Sequence, residues 1–248
     1  SRPLPELARP GVGSVEAAIA EHAAGLVTDR SVLQLGIGKV PEAVAARLGG
    51  HRDLGIHSGF LGEWAMELVE SGAVTNAYKP IDRGVTVGGT LMGSRRLYRW
   101  AHDNAALAMR DVRHTHAADV LARFDTFVSV NGAIEVDLSG QVNAEVIGDR
   151  YVGAVGGQVD YVRAGAAAPR GWSVIALPAA TARSGRSRIV PRLASAVVTT
   201  ARSDVDVVVT EYGAAHLRGQ PLAERARRMI AIAAPAFRDE LSRAVHGS

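Results

Sequence analysis

The stretch that most constrains the fold is VLQLGIGKVPEAVAARL, from Val32 to Leu48. A short apolar run stops at a glycine-bearing turn, and Pro41 then opens a segment with an apolar face at helical spacing. Strand, turn and helix follow one another without a gap. The same alternation predicts a strand over 54–57, a helix over 63–71, a strand over 85–90 and a helix over 94–103. Strands separated by helices are joined by crossovers, and crossovers place neighbouring strands parallel with the helices on the sheet faces. The expected class is α/β, a mainly parallel sheet flanked by helices. Ser14 is placed to cap a first helix running to Val27.

The middle of the chain has a different texture. FDTFVSV (124–130) reads as a buried strand, and NGAIEVDLSGQVNAE alternates apolar and polar residues around Ser139-Gly140 as a hairpin does. Gly156-Gly157 precede another helix. Strands are expected at 174–177 and 205–210, and a terminal helical stretch at 221–245. With 248 residues and 47% apolar content, one domain over 14–248 can bury a sizeable core. Pro3, Pro5 and Pro10 mark 1–13 as a linker. A chain that opens on a linker is expected to be the second half of something larger or a separately encoded subunit.

Composition removes several classes of function. There is no cysteine, so disulfides, thiolate metal sites and a cysteine nucleophile drop out together. No apolar stretch approaches the roughly 18–20 residues that span a bilayer, and the first residues lack a signal pattern, so the expectation is a cytoplasmic protein with no membrane partner. Nearly all of the 28 basic residues are arginines, scattered along the chain, and aromatics are only 5%. Nucleic acid is not the expected partner; a small anionic ligand is.

Gly36 and Gly38 stand between a strand and a helix N-terminus, which makes either a packing turn or an anion cradle of backbone amides. Gly156-Gly157 pose the same pair of alternatives, a packing turn or an oxyanion hole for a thioester or ester carbonyl. His114-Thr115-His116 supplies two imidazoles but no carboxylate at ligand spacing, and no metal is expected. His57-Ser58 are neighbours on a strand and point to opposite faces, so a base–nucleophile pair is not expected of them. Glu135 and Asp137 lie two apart on a strand, hence on one face, where they suit acid–base work, loop capping or pairing with arginine. The remaining stretch is LGIHSGFLGE (54–63), a strand opening into a polar loop with no acid before Glu63.

In order, LQLGIGKVPEAV, LGIHSGF, GTLMGSRRLY, VNGAIEVDLSGQVNAEVIG, VGAVGGQVDYVRAG, TARSGRSRIVP and VVTEYGAAHLRGQPLAERARRMIAIAAPAFRDEL resemble the C-terminal domain of the acetyl-CoA hydrolase/transferase family, nearest to its 4-hydroxybutyrate CoA-transferase branch. The resemblance covers nearly the whole chain. It implies a two-domain α/β architecture of CoA-transferase type, with an N-terminal half that supplies part of the cleft, and coenzyme A as substrate rather than as a resident cofactor. It places CoA contacts at Gly36, Ile37, Gly38, Lys39, Val40, Ile134, Gly157 and Arg183, with Gly156-Gly157 beside the thioester carbonyl. Members of the family attack acyl-CoA with a glutamate carboxylate that follows a His-Ser or His-Thr pair. That position here is Gly59, with Glu63 and Glu135 the available substitutes.

Three functions follow as competitors. One is an acyl-CoA transferase or hydrolase acting on a CoA thioester and a small carboxylic acid without the usual glutamate. Another is a non-catalytic CoA or acyl-CoA binding subunit of a heteromeric complex, and the last is a nucleotide or sugar-phosphate binder. An oligomer is expected in each case, because the face toward the missing half is otherwise left open.

Overall fold

A computed structural model describes residues 4–9, 11–182, 185–195 and 197–246. The first half alternates as its sequence predicts: α1 (Ser14–Ala24), β1 (Val32–Leu35), α2 (Lys39–Arg47), β2 (Gly55–Leu61), α3 (Glu63–Glu70), β3 (Thr86–Leu91), α4 (Arg95–Ala101) and β4 (Leu107–Met109). Two single turns, α5 (Val112–Thr115) and α6 (Ala118–Leu121), lead back to β5 (Phe127–Gly132). Then come the short strands β6 (Glu135–Asp137), β7 (Val142–Asn143), β8 (Val146–Ile147) and β9 (Arg150–Tyr151), followed by α7 (Gln158–Ala167) and β10 (Trp172–Ala176). The chain ends with β11 (Ile189–Val190), β12 (Val207–Thr210), β13 (Gly213–His216), α8 (Leu222–Ile232) and α9 (Arg238–His246).

Eight strands form one sheet in the order β13-β12-β10-β5-β1-β2-β3-β4, parallel throughout except for the β12–β13 hairpin at one edge. From β1 the chain builds outward through β2, β3 and β4, then returns to the other flank of β1 with β5. The order therefore reverses between β1 and β5, and it is outside the carboxyl ends of strands at such a reversal that open α/β sheets leave a crevice.

Side-chain alternation sorts the core into layers. Leu33, Leu35, Val128, Val130, Val174, Ala176, Val207 and Val209 face α1, α2 and α3 with Ile19, Val44 and Trp64. The residues between them, such as Ile175 and Val208, face the other way with Val162, Met229 and Leu241, where the small sheet β11-β6-β7 also packs. Burial of both faces is what continuous Val/Ile/Leu runs require of parallel strands.

Several boundaries differ from those read off the sequence. β2 does not open into a loop after His57 but continues to Leu61, because Phe60 and Leu61 keep pairing with Thr90 and Leu91. Gly59 is therefore inside a strand. The C-terminal helical stretch is cut by Ala233-Ala234-Pro235, since proline disfavours helical backbone in the residue before it. The residues read as a linker carry no regular element from Leu4 to Arg9, yet they are strapped to α3 and α4: Leu7 N–H donates to the Gly93 carbonyl, Tyr98 Oη to the Pro5 carbonyl, and Arg9 pairs with Glu67 and Glu42. Among the described residues no helix is long and apolar enough to cross a membrane.

Candidate active site

A cleft of about 760 Å³ lies over the carboxyl ends of β1 and β5, at the reversal of strand order. Its floor is a closed amide pair: Gln34 Nε2 donates to Asn131 Oδ1 at 3.1 Å, and Asn131 Nδ2 returns a bond to Gln34 Oε1 at 3.0 Å. Gly36 passes tightly over that floor, where a Cβ would meet Asn131 Oδ1 at 3.0 Å. Gly38 caps α2 at φ +127°, a conformation that a residue with a side chain rarely adopts. Opposite this turn, Gly156 at φ +52° and Gly157 open α7. The backbone amides of Ile37, Gly38, Gly156 and Gly157 donate to no protein acceptor among the described residues. Unpaired amides at two helix starts beside one cleft are donors of the kind that favours an anion.

Of the residues the sequence nominated, the cleft is lined by Gly36, Ile37, Gly59, Gly156 and Gly157. Gly38 and Lys39 form the shoulder of the turn. Val40 turns inward and is buried in the core, so it contacts neighbouring side chains and not the cleft. Ile134 lies past the floor, with its N–H on the Asn143 carbonyl. Arg183 lies outside the described residues. The two substitute acids stand away from the cleft lining: Glu63 Oε1 accepts the Ser94 N–H at 2.6 Å, and Glu135 Oε1 accepts from Asn143 Nδ2 at 3.1 Å. Asp137 holds the hairpin turn by accepting from the Ser139 N–H and Oγ and from the Gln141 N–H.

The cleft is also lined by a side chain whose sequence context suggests only half of a metal pair. The His116 ring lies in a slot between Gly59 and Gly157. A Cβ on Gly59 would come to 2.8 Å from His116 Cε1, 2.9 Å from its Nε2 and 3.0 Å from Tyr161 Oη. A Cβ on Gly157 would overlap the same Nε2 outright. Gly59 has ordinary extended backbone, so space, not conformation, decides that the residue is glycine. Tyr161 packs its ring against His116 at 4.7 Å between centroids, and its own hydroxyl is pushed toward weaker acidity by burial.

Deeper along β2, on the same strand face as Gly59, sits a second polar group. His57, Asp82 and His114 bring their side-chain donor atoms within 4.8 Å of one another, with His114 Nε2 at 2.8 Å from Asp82 Oδ2. The expectation that no carboxylate joins the histidine pair is thus corrected, because a residue distant in sequence supplies one while His116 turns away into the cleft. Asp82 is already charge-matched. Its carboxyl is held below the usual range by His114, Lys79 and His57 against the opposing pull of desolvation. Lys79, buried and donating to the Ile56 and Val85 carbonyls at 2.9 and 2.7 Å, is itself lowered to about 8, chiefly by desolvation. His57 is fully buried, its ring nitrogens make no hydrogen bond, and desolvation first, then the charges of Lys79 and His114, lower it to about 4. The group is a partly buried Asp82–His114 pair packed against the buried His57 and Lys79.

A second cavity, about 690 Å³, lies near the opposite ends of the strands, lined by Arg30, Arg52, Arg123 and Arg170 together with Asp29, Asp53 and Asp125. Its charges are mixed and it is remote from both glycine turns.

With this geometry in place the comparisons are decisive. The family model described as Acetyl-CoA hydrolase/transferase C-terminal domain matches residues 93–245. The chain belongs to the acetyl-CoA hydrolase/transferase family. It is 43% identical over 242 residues to the 4-hydroxybutyrate coenzyme A transferase of Clostridium kluyveri, covering 97% of this chain and 56% of that protein. It is 42% identical over 244 residues to the succinyl-CoA:cyclohexane-1-carboxylate CoA transferase of Geobacter metallireducens, again covering 56% of the relative. The crystal structure of RipA from Yersinia pestis superposes with a TM-score of 0.95 at 37% identity, over 99% of this chain and 56% of that one. The chain therefore spans about half the length of the relatives it matches.

Proposed function

We propose that this family domain supplies the CoA half of an acyl-CoA-processing site, and that a complementary N-terminal half, on the same or a separate chain, closes the cleft over the acyl group and a small carboxylic acid. The observation that carries the reading is that three residues with unpaired amides, Ile37, Gly156 and Gly157, line one crevice at the strand-order reversal. Amides without acceptors at two helix starts favour an anionic or oxyanionic ligand, as a thioester with a pyrophosphate-linked tail presents. Exposed apolar side chains around the cleft, Ile37, Tyr151, Val152 and Val155, fit a surface covered by the other half. The family resemblance of LGIHSGF assigns the usual nucleophile position to Gly59, whose lack of a side chain closes the glutamyl-anhydride route there.

A purely binding role is favoured by one feature, the lack of any carboxylate at that point of β2. Titration calorimetry with CoA and acetyl-CoA separates these readings. Micromolar binding that is lost in Gly157→Ala, whose added methyl collides with His116, supports a CoA site at this cleft. Unchanged binding in that variant, or no binding by the assembled protein, sinks the assignment. Acyl-CoA turnover distinguishes an enzyme from a binding subunit.

A further inference from the structure

The cleft still contains a group able to do chemistry. We propose that His116 is the catalytic base of this site, activating through Nε2 a water in the cleft that attacks the thioester carbonyl, so that the domain works by direct hydrolysis. This rests on the CoA reading above.

Position is the first observation. The imidazole lies against Gly59 on one side and Gly157 on the other, and the ring lines the cleft. A residue from a separate segment has filled the space that glycine leaves open in β2, adjacent to the Gly156-Gly157 amides that would hold a thioester oxygen.

Hydrogen bonds support the ring's orientation. Thr115 Oγ1 stands 2.8 Å from His116 Nδ1 and 3.2 Å from the Asp111 carbonyl. As base, the ring carries its hydrogen on Nδ1 and donates it to Thr115 Oγ1 while that hydroxyl donates to Asp111. Nε2 is left with its lone pair and has no hydrogen-bond partner among the described residues. Tyr161 Oη, 3.4 Å from Nδ1, and the Tyr161 ring hold the imidazole in that orientation. A base needs this arrangement: one nitrogen tied down by a support, the other turned to the reacting atoms.

The ionisable groups around it are few. Tyr161 and Asp160 lie on α7, Asp111 and His114 on the turn that carries His116, and β2 contributes the glycine itself. Burial lowers the imidazole from its ordinary value and Asp160 opposes that only in part, so the neutral form dominates at pH 7.

The step balances without any further reactant. Water's proton passes to Nε2 as its oxygen bonds to the carbonyl carbon, and the carbonyl π pair moves to the oxygen facing the Gly156 and Gly157 amides. The C–S bond then breaks with its electron pair on sulfur. The thiolate collects the proton from the imidazolium, giving a carboxylic acid and CoA thiol.

The test uses the assembled protein, chain plus complementary half, with acetyl-CoA and butyryl-CoA as probes and release of thiol as readout. His116→Asn and His116→Ala should lower kcat by about 10²-fold or more, the range typical of a lost general base, while the calorimetric Kd for CoA stays within about threefold. Exogenous imidazole should restore part of the His116→Ala rate, and wild-type kcat should rise with pH along a single ionisation below the ordinary imidazole value, a limb absent from both variants. Hydrolysis retained within threefold in His116→Asn, trapping of a CoA thioester on any carboxylate, or CoA binding without wild-type hydrolysis each overturns the assignment to His116 and leaves the CoA site standing. Absence of CoA binding overturns the CoA reading itself.

Discussion

A methyl group at position 59 measures how completely His116 fills the space over β2. The added Cβ would sit 2.8 Å from Cε1, 2.9 Å from Nε2 and 3.0 Å from Tyr161 Oη, where comfortable contacts begin near 3.4 Å. The ring cannot retreat, because Nδ1 is bonded to Thr115 Oγ1 and the far side of the slot is Gly157. Overpacking of this kind costs about 1–3 kcal/mol. Restricting the unfolded backbone returns roughly 0.4–1 kcal/mol, since the strand conformation at 59 suits alanine. Gly59→Ala should therefore destabilise the domain by on the order of 1–2 kcal/mol. In a His116→Ala background most of the collision is gone, and the same change should be neutral or mildly stabilising. Guanidinium unfolding of the four proteins of the cycle, followed by circular dichroism, should give a coupling of at least about 1 kcal/mol. Additivity within about 0.5 kcal/mol would falsify the claim that His116 occupies the space over Gly59.

The buried Lys79 and His57 make two further predictions. Lys79, lowered to about 8 in the fold against an ordinary value of 10.5, releases its proton in the folded state while the unfolded chain still holds it, so stability should rise with pH between about 8 and 10.5. Lys79→Met should flatten that rise in a pH series of denaturant melts; an identical slope in both proteins refutes the assignment. His57, lowered to about 4 from 6.5, should make the fold lose stability as pH falls from about 6.5 to 4, by on the order of 3 kcal/mol in total. His57→Leu removes two orphaned ring nitrogens, so it should cost nothing at pH 7 and abolish most of that acid limb; a variant with the wild-type acid limb contradicts this.

The central strands were legible because burial on both faces leaves uninterrupted apolar runs, as in FVSV of β5 and VVV of β12. The edge strands β4 (LAM) and β13 (GAAH) were not, since short edge segments need no branched residues to pair. Of the roles open to Asp137 in the sequence, the structure shows loop capping, because Asp-Leu-Ser-Gly places a hydroxyl and a glycine where an Asx turn wants them. The turns at Gly36 and Gly38 and at Gly156 and Gly157 were legible through local turn chemistry, which the sequence carries in consecutive letters. The place of His116 and Tyr161 in the cleft was not legible because it depends on a contact across distant segments. No local pattern states that the space above Gly59 in β2 is taken by a ring from the turn before β5. The Asp82–His114 pair was invisible for the same reason.

That contact also decides what recovery of a carboxylate nucleophile requires. Replacing Gly59 by glutamate alone forces the new Cβ against the His116 ring and Tyr161 Oη before the carboxylate is placed at all. The side chain must either displace the imidazole from its Thr115 anchor or be turned off its strand rotamer, and neither leaves a carboxylate aimed at the Gly156-Gly157 amides. Gly59→Glu is therefore expected to show no gain in CoA transfer from acyl-CoA to a free carboxylic acid. Gly59→Glu with His116→Ala vacates the slot and should show measurable transfer, with a glutamyl-CoA thioester detectable by mass spectrometry of the intact protein. Transfer by the single variant at the level of the double would show that the ring yields freely, and the exclusion argued from the Cβ distances would fail. Equal inactivity of both, with CoA binding intact, would place the obstacle elsewhere in the cleft. The order of activities thus reads the coupling between 59 and 116 in rate, as the unfolding cycle reads it in stability.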